Sequence, residues 1–570
     1  MEDQQAFPLP TRRTILRNLG AAGIVGIAAG HTHLAEASSP EKTSSRFFPL
    51  LRQPDTATAF AEELSPISLD RSGSSWTGRD ISLVCGQKET SLELTLTAPT
   101  TPMVRLHLRW NSPVPADVKL LADAWERSYG DMGWMPIVPE RALPWYFLIF
   151  DGKTTHGYGV KTGAGALAFW QCDREGVSLW LDVRNGGKGV LLGQRQIALA
   201  TVVARLGHAD ESPFAAAQAF CRILSPTPRL SKEPVYGSND WYYAYGDSSA
   251  QDILRDADLV AELAPASGPR PFVVTDEGWE HSPKFPSMPG LAAEIVRKGV
   301  RPGIWVRPLR ARGEKDASLL LPASRFKDHS TDLAYDPTIP EARRKTLETI
   351  RLAAEWKYEL VKHDFSTYDL LGQWGNDMGA SPTVHGWSFH DRSQTNAEII
   401  RDLYEDIRKV AGDQTILVGC NVVGHLSAGI FELQRTGDDV SGKAWERTRR
   451  MGVNTLAFRL PQHTTFFAMD PDCIPITEAI PWTLTERWLD AVAAAGASVV
   501  ISPRAGTMGA PQKEAVRRAF AIAAKAGTGA TPIDWLNSRT PEEWTQPKGA
   551  GSASARYEWL EAGGASPFPA

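Results

Sequence analysis

Asp364, in YELVKHDFS (358–366), and Asp439, in ELQRTGDDVSG (432–442), are carboxylates that each follow a short strand-like run. Each has a cation on the same run, Lys362 and Arg435. Strand side chains alternate in direction, so Lys362 and Asp364 share a face while His363 points away. A cation beside Asp364 favours the ionised form that a nucleophile requires. Two acids delivered from strand ends are what cleavage of a glycosidic bond needs, one as nucleophile and one as proton donor. A single acid–cation pair would read as an ordinary buried ion pair. Two of them, among the groups described below, point to chemistry.

These acids need a scaffold, and 570 residues are enough for two or more domains with substantial cores. Residues 56–231 open with period-two alternation (LELTLTA, VRLHLRW, WYFLIFDG, SLWLDVRNGG) and no long amphipathic helix, which predicts a β-sandwich closed by a helix over 212–224. From 232 to 526 short apolar runs alternate with helical stretches. PVYGSN, PFVVTD, RPGIWVRP, YELVKHD, TILVGC, GIFELQR, NTLAFRL and ASVVIS predict the eight strands of a (β/α)8 TIM barrel, with its active site at their C-terminal ends. Residues 527–570 read as a short Gly/Ala/Pro-rich tail. WERSYGDMGW (125–134) is dense in aromatics and charge, and core and domain-interface packing is its expected role, with an active-site wall as the alternative.

Polar and aromatic groups collect just after the strands. They include Trp241, Asp276 and Glu277, then Trp305, then Lys362 with Asp364, then Cys420 and Asn421, then Arg435 with Asp438 and Asp439, and finally Asp470-Pro471-Asp472. The net charge of −5, with no basic cluster, argues against nucleic acid. Five scattered cysteines without CxxC or Cys/His spacing suggest neither a metal site nor a disulfide framework. The start, TRRTILRNLGAAGIVGIAAGHTHLAEA (11–37), has Arg12-Arg13, a mildly apolar run shorter than the ~20 residues of a membrane span, and a small-x-small site at Ala35-Glu36-Ala37. Residues 1–37 are thus similar to a twin-arginine export signal, which implies a periplasmic or extracellular protein. A polar linker follows over 38–55.

In series, GSNDWYYAYG, DEGW, KFPSMPGLAAEIVRKGVRPGIW, VKHD, RTGDDV and DPD resemble the ordered motifs of the glycoside hydrolase clan that holds the α-galactosidases, families 27 and 36. A β-sandwich ahead of the barrel is closer to family 36. The resemblance implies Asp364 as nucleophile and Asp439 as acid/base, with Asp438 the competing donor. The four-residue spacing from Arg435 favours Asp439. It further implies Trp241 as a stacking wall, Asp276 and Glu277 as the grip on sugar hydroxyls, Lys362 and Arg435 as cations on the ring hydroxyls, and Asp472 as a pocket acid. Glu277 stands for the usual second aspartate, His363 for a common aromatic, and Asn421 for a glutamate that reads the 2-position. Ser366 leaves Cys420 without the partner it has in family 27. These departures leave the sugar open. The expected activity is that of a retaining α-galactosidase acting on carbohydrate without cofactor or metal. The alternatives are an α-N-acetylgalactosaminidase, a β-L-arabinopyranosidase or a catalytically silent carbohydrate-binding protein. The sequence does not set the oligomeric state.

Overall fold

The computed structural model describes residues 51–280, 282–525, 529–546 and 553–566, and the expected export signal (1–37) lies outside them. The described residues belong to one compact unit. Residues 51–55, expected as linker, pack instead against the first strands. The Gln53 amide donates to the Cys85 carbonyl (2.7 Å) and accepts from the Trp76 indole (3.2 Å), while the Trp110 indole donates to the Arg52 carbonyl (3.0 Å). Polar residues here satisfy buried backbone and indole groups that would otherwise be orphaned.

From Thr56 to Arg205 the alternating runs form two antiparallel sheets, of six and eight strands. Leu92, Leu94 and Leu96 are buried while Glu93 between them is exposed, the pattern of a half-buried strand. The helix Pro213–Leu224 starts on a Ser212 cap that accepts from the Ala215 N–H, with Pro213 in the first turn. It presses on the strand Thr155–Val160, and a Cβ at Gly157 would lie 2.3 Å from the Phe220 ring. Only glycine permits that approach.

The second half is built on nine parallel strands. They are β1 Tyr236–Asn239, β2 Phe272–Thr275, β3 Arg301–Val306, β4 Leu360–His363, β5 Ile416–Gly419, β6 Leu433–Arg435, β7 Ala468–Asp470, β8 Cys473–Ile476 and β9 Val499–Pro503. Their hydrogen-bonded order is β7-β6-β5-β4-β3-β2-β1-β9-β8. The two ends of that order, β7 and β8, are successive pieces of chain separated only by Pro471 and Asp472, and Asp472 is left-handed (φ 71°). Helices Ala250–Leu263, Met288–Arg297, Pro340–Glu355, Asn396–Ala411 and Trp482–Ala495 lie between the strands in sequence, and Ala510–Ala523 follows β9. Alternate residues on the strands face two cores. Val235, Phe272, Val274, Leu360, Ile416, Val418 and Leu433 form one cluster, whereas Val273, Ile304, Val361 and Leu417 join the larger core.

The expected strand NTLAFRL (454–460) is not one. A π-helical turn over Arg449–Asn454 runs into the helix Thr455–Arg459. Every residue from 454 to 460 is buried, and an apolar run buried all round looks the same for helix and strand. Its place in the sheet is taken by β7 and β8. The C-terminal segment is also more than a tail. Glu543–Thr545 pairs with Ser554–Arg556, and Trp535, Trp544 and Trp559 are buried. The Trp445 indole donates to the Trp559 carbonyl (2.6 Å).

Candidate active site

Asp364 leaves the end of β4 and is 7% exposed. Phe365, next in the chain, is left-handed (φ 64°), and that turn aims its N–H back at the Asp364 Oδ1 (2.8 Å). The Asn421 N–H donates to the same oxygen (3.0 Å), and the Trp305 indole donates to Oδ2 (3.0 Å). Burial alone would raise this carboxyl. The charges of Arg127 and Lys362 and the Trp305 hydrogen bond outweigh it, so the group is held below its ordinary value. Lys362 does not pair with Asp364 directly. Its Nζ donates to Asp276 Oδ2 (2.8 Å), an oxygen that also accepts from the Asn239 amide (2.6 Å).

Behind Asp276 sits Asp240, 1% exposed, whose Oδ1 accepts from the Asp276 N–H (2.7 Å) and whose Oδ2 accepts from the Ser248 hydroxyl. Burial, then the Asp276 charge, pushes Asp240 up to about 7. Glu277 is half-buried and one of its oxygens is bound by Arg310, which also reaches Glu280 at 3.1 Å. Trp241 is half-buried beside Tyr245, with ring centroids 5.8 Å apart.

Arg435, fully buried at the end of β6, places Nη2 between two acids: Asp472 (2.7 Å) and Asp439 (3.2 Å). Asp472 also accepts from the Val440 N–H (3.0 Å) and from the Tyr242 hydroxyl. Burial pushes Asp472 up against the pull of Arg435. Asp439 is held down at about 2, because Arg435 and Arg127 outweigh its own burial. The two acids share one guanidinium, so the first proton taken up on acidification belongs to the pair. The Asp439 charge also acts on Asp364, tending to raise it. Asp439 keeps 38% of its side chain exposed, whereas Asp438 is 17% exposed and clamped by Arg127 and Arg447, each at 2.8 Å. Asp439, although also held by Arg435 and Arg127, is the more open of the two and the one that a leaving oxygen can reach.

Arg127 comes from the first half of the chain, within the segment for which an active-site wall is the alternative to packing. Ser128 bridges to Gly437 in parallel register and places the Arg127 guanidinium 2.8 Å from Asp438 and 3.8 Å from Asp439. Glu126, fully buried, accepts from the Asn421 amide and from the Gly375 N–H (2.8 Å). Asn421 is therefore consumed internally: its Oδ1 accepts from the Tyr368 N–H (3.0 Å) and its side chain has no exposure. Cys420 is a free, buried thiol in contact with Arg435 (3.3 Å) and Arg127 (3.7 Å). Sequence reasoning saw Asp240 and Tyr242 at a strand end and Glu126 and Arg127 in a possible active-site wall, but gave none of the four a role. A usable signal was the twenty-residue stretch 123–142 without a strand, since long loops in compact domains are often functional. All five cysteines are free, and no group of three or more His, Cys, Asp or Glu side chains suited to a metal occurs among the described residues.

The fold is similar to that of solved α-galactosidases, some of them of glycoside hydrolase family 36. TtGalA from Thermus thermophilus, an α-galactosidase solved with p-nitrophenyl α-D-galactopyranoside, matches with a TM-score of 0.57 at 17% identity, over 88% of this chain and 99% of that one. The GH36 α-galactosidase AgaA from Geobacillus stearothermophilus, solved with 1-deoxygalactonojirimycin, matches at 0.54 and 13%, over 86% and 76%. The galactosidase domain of the α-galactosidase-sucrose kinase AgaSK matches at 0.52 and 13%, over 86% and 75%. At these identities the likeness is one of fold. No family model and no curated protein matches the chain.

Proposed function

We propose that the protein is an exported, retaining α-glycosidase of α-galactosidase type. The observation that carries this is the pairing of two differently held acids. Asp364 is kept ionised by the charges of Arg127 and Lys362 and the Trp305 hydrogen bond, and Asp439 is the open acid on Arg435. Asp364 attacks the anomeric carbon while Asp439 protonates the leaving oxygen. Asp439 then takes a proton from the water that releases the glycosyl-enzyme. Asp276, Lys362 and Glu277 bind ring hydroxyls against Trp241. The two antiparallel sheets are read as a β-sandwich, and the parallel sheet as a (β/α)8 barrel closed through the bend at Pro471-Asp472. Structures of similar fold hold stachyose and raffinose, which favours terminal α-galactosides of oligosaccharides as substrates.

The test is hydrolysis of an aryl α-galactoside followed by proton NMR. The first product is expected in the α configuration, which requires Asp364 and Asp439 about 5–5.5 Å apart. Asp364→Asn is expected to keep the fold and lose nearly all turnover, because an amide cannot form the glycosyl ester. A first product of β configuration, or a folded Asp364→Asn protein with near-normal turnover, overturns the mechanism. Export is tested separately: Arg12→Lys with Arg13→Lys is expected to leave the protein in the cytoplasm.

A further inference from the structure

Beside the paired acids, on the side of Asp438, lies a cavity of about 370 Å³. Arg127, Arg447 and Arg450 line it together with Asp438, and Tyr129, Trp374 and Asn376 supply the rest of its polar and aromatic wall. Three guanidinium groups face one carboxylate, in a chain whose net charge is −5. Two of them are engaged, since Arg127 and Arg447 each hold Asp438 at 2.8 Å. Arg450 has no carboxylate within ion-pair distance among the described residues, and it is half-buried rather than extended into solvent. Its backbone is packed on Gly130, where a Cβ would sit 2.8 Å from the Arg450 carbonyl, so its main chain is anchored at the cavity. A guanidinium without a carboxylate partner in a cavity suits an anion, which it can bind by charge-assisted and bidentate hydrogen bonds.

The cavity adjoins Asp439 through Arg127, whose two terminal nitrogens reach Asp438 and Asp439. In the proposed reaction Asp439 protonates the leaving oxygen, so the space beyond it receives the leaving group. We infer that this cavity is a leaving-group subsite for an acidic sugar, one bearing a carboxylate or a sulfate ester, and that Arg450 is the residue that selects it. The inference rests on the glycosidase reading for its place in the reaction, but ligand binding tests it independently of turnover.

Calorimetric titration of the full chain with methyl β-glucuronide, glucose 6-sulfate and the neutral methyl β-glucoside makes that test. The acidic ligands are expected to bind about tenfold more tightly than the neutral one at low salt. The gap should narrow as sodium chloride is raised. It should close in Arg450→Gln and persist in part in Arg450→Lys. A gap for the glucuronide alone assigns a uronic acid, and a gap for both assigns any anionic sugar. Equal binding of acidic and neutral ligands overturns the inference, as does a gap unchanged in Arg450→Gln. Failure of the aryl α-galactoside assay would instead count against the glycosidase reading while this binding result still stood.

Discussion

At the scale of single residues, Arg127 and Arg435 set how the two candidate acids titrate. Arg127 lowers both Asp364 and Asp439, so its removal raises both. Turnover needs Asp364 ionised and Asp439 protonated, and kcat/KM reports the free enzyme's groups. Arg127→Gln is therefore expected to move both limbs of the kcat/KM profile to higher pH, with Arg127→Lys restoring them. A uniformly lower rate with unmoved limbs would reduce Arg127 to a packing role. The adjacent acids separate by leaving group. Asp439→Ala is expected to cost about 10²–10⁴-fold on substrates with poor leaving groups and far less on activated aryl glycosides. Asp438→Ala, which frees Arg127 and Arg447 instead, is expected to give a milder and less selective loss. The opposite ranking in steady-state kinetics would move the proton donor by one residue.

At the scale of elements, the strands that deliver the candidate acids were legible because each is a short apolar run ending in a charged residue. Asp364 after YELV and Arg435 with Asp439 after GIFELQ were both visible in this way. The seventh element was not legible, because β7 and β8 are short pieces broken at Pro471-Asp472 while the more strand-like NTLAFRL is helical. Arg127 was hidden for another reason: its partners lie roughly three hundred positions away, a distance over which no local pattern carries information. The join between these elements is tight at Gly437, where a Cβ would lie 2.3 Å from the Met451 carbonyl and 2.6 Å from the Thr455 hydroxyl. Backbone on one side cannot yield cheaply, so Gly437→Ala must shift the 435–439 segment. Overpacking of this kind costs about 1–3 kcal/mol. Gly437→Ala is expected to lower the melting temperature and, because Asp439 moves with the segment, to depress kcat on poor leaving groups more than on aryl glycosides. Loss of stability without that kinetic selectivity would show that the acid is positioned from elsewhere.

At the scale of the molecule, the two halves are locked by buried polar contacts as well as by apolar packing. Arg459 pairs with Asp123 at 3.1 Å, Gln462 donates to Asp123 (2.7 Å) and to the Tyr146 hydroxyl (2.9 Å), and His425 stacks on Trp145 while its Nε2 meets the Val160 carbonyl at 2.7 Å. Buried titratable groups make stability depend on pH in opposing directions. His363 is fully buried between Tyr404 and Phe431, and burial lowers it from 6.5 to about 4. Between those values the unfolded chain binds the proton and the native state does not, so this group removes stability as pH falls from 6.5 to 4. Asp240 has the opposite sign. Burial raises it from 3.8 to about 7, so the unfolded chain ionises first and stability is lost as pH rises from 3.8 to 7. Each effect is on the order of 3–4 kcal/mol when complete. Relative to the parent protein, His363→Phe is expected to gain melting temperature progressively as pH drops from 6.5 to 4. Asp240→Asn, which preserves the shape of the neutral acid facing Ser248 and the Asp276 N–H, is expected to gain it progressively as pH rises from 4 to 7. Thermal melts of the three proteins across that range decide the matter. Parallel curves would mean that neither group is held in the state its burial demands, and a gain of the same sign in both variants would mean that packing at the two sites, rather than protonation, governs the response.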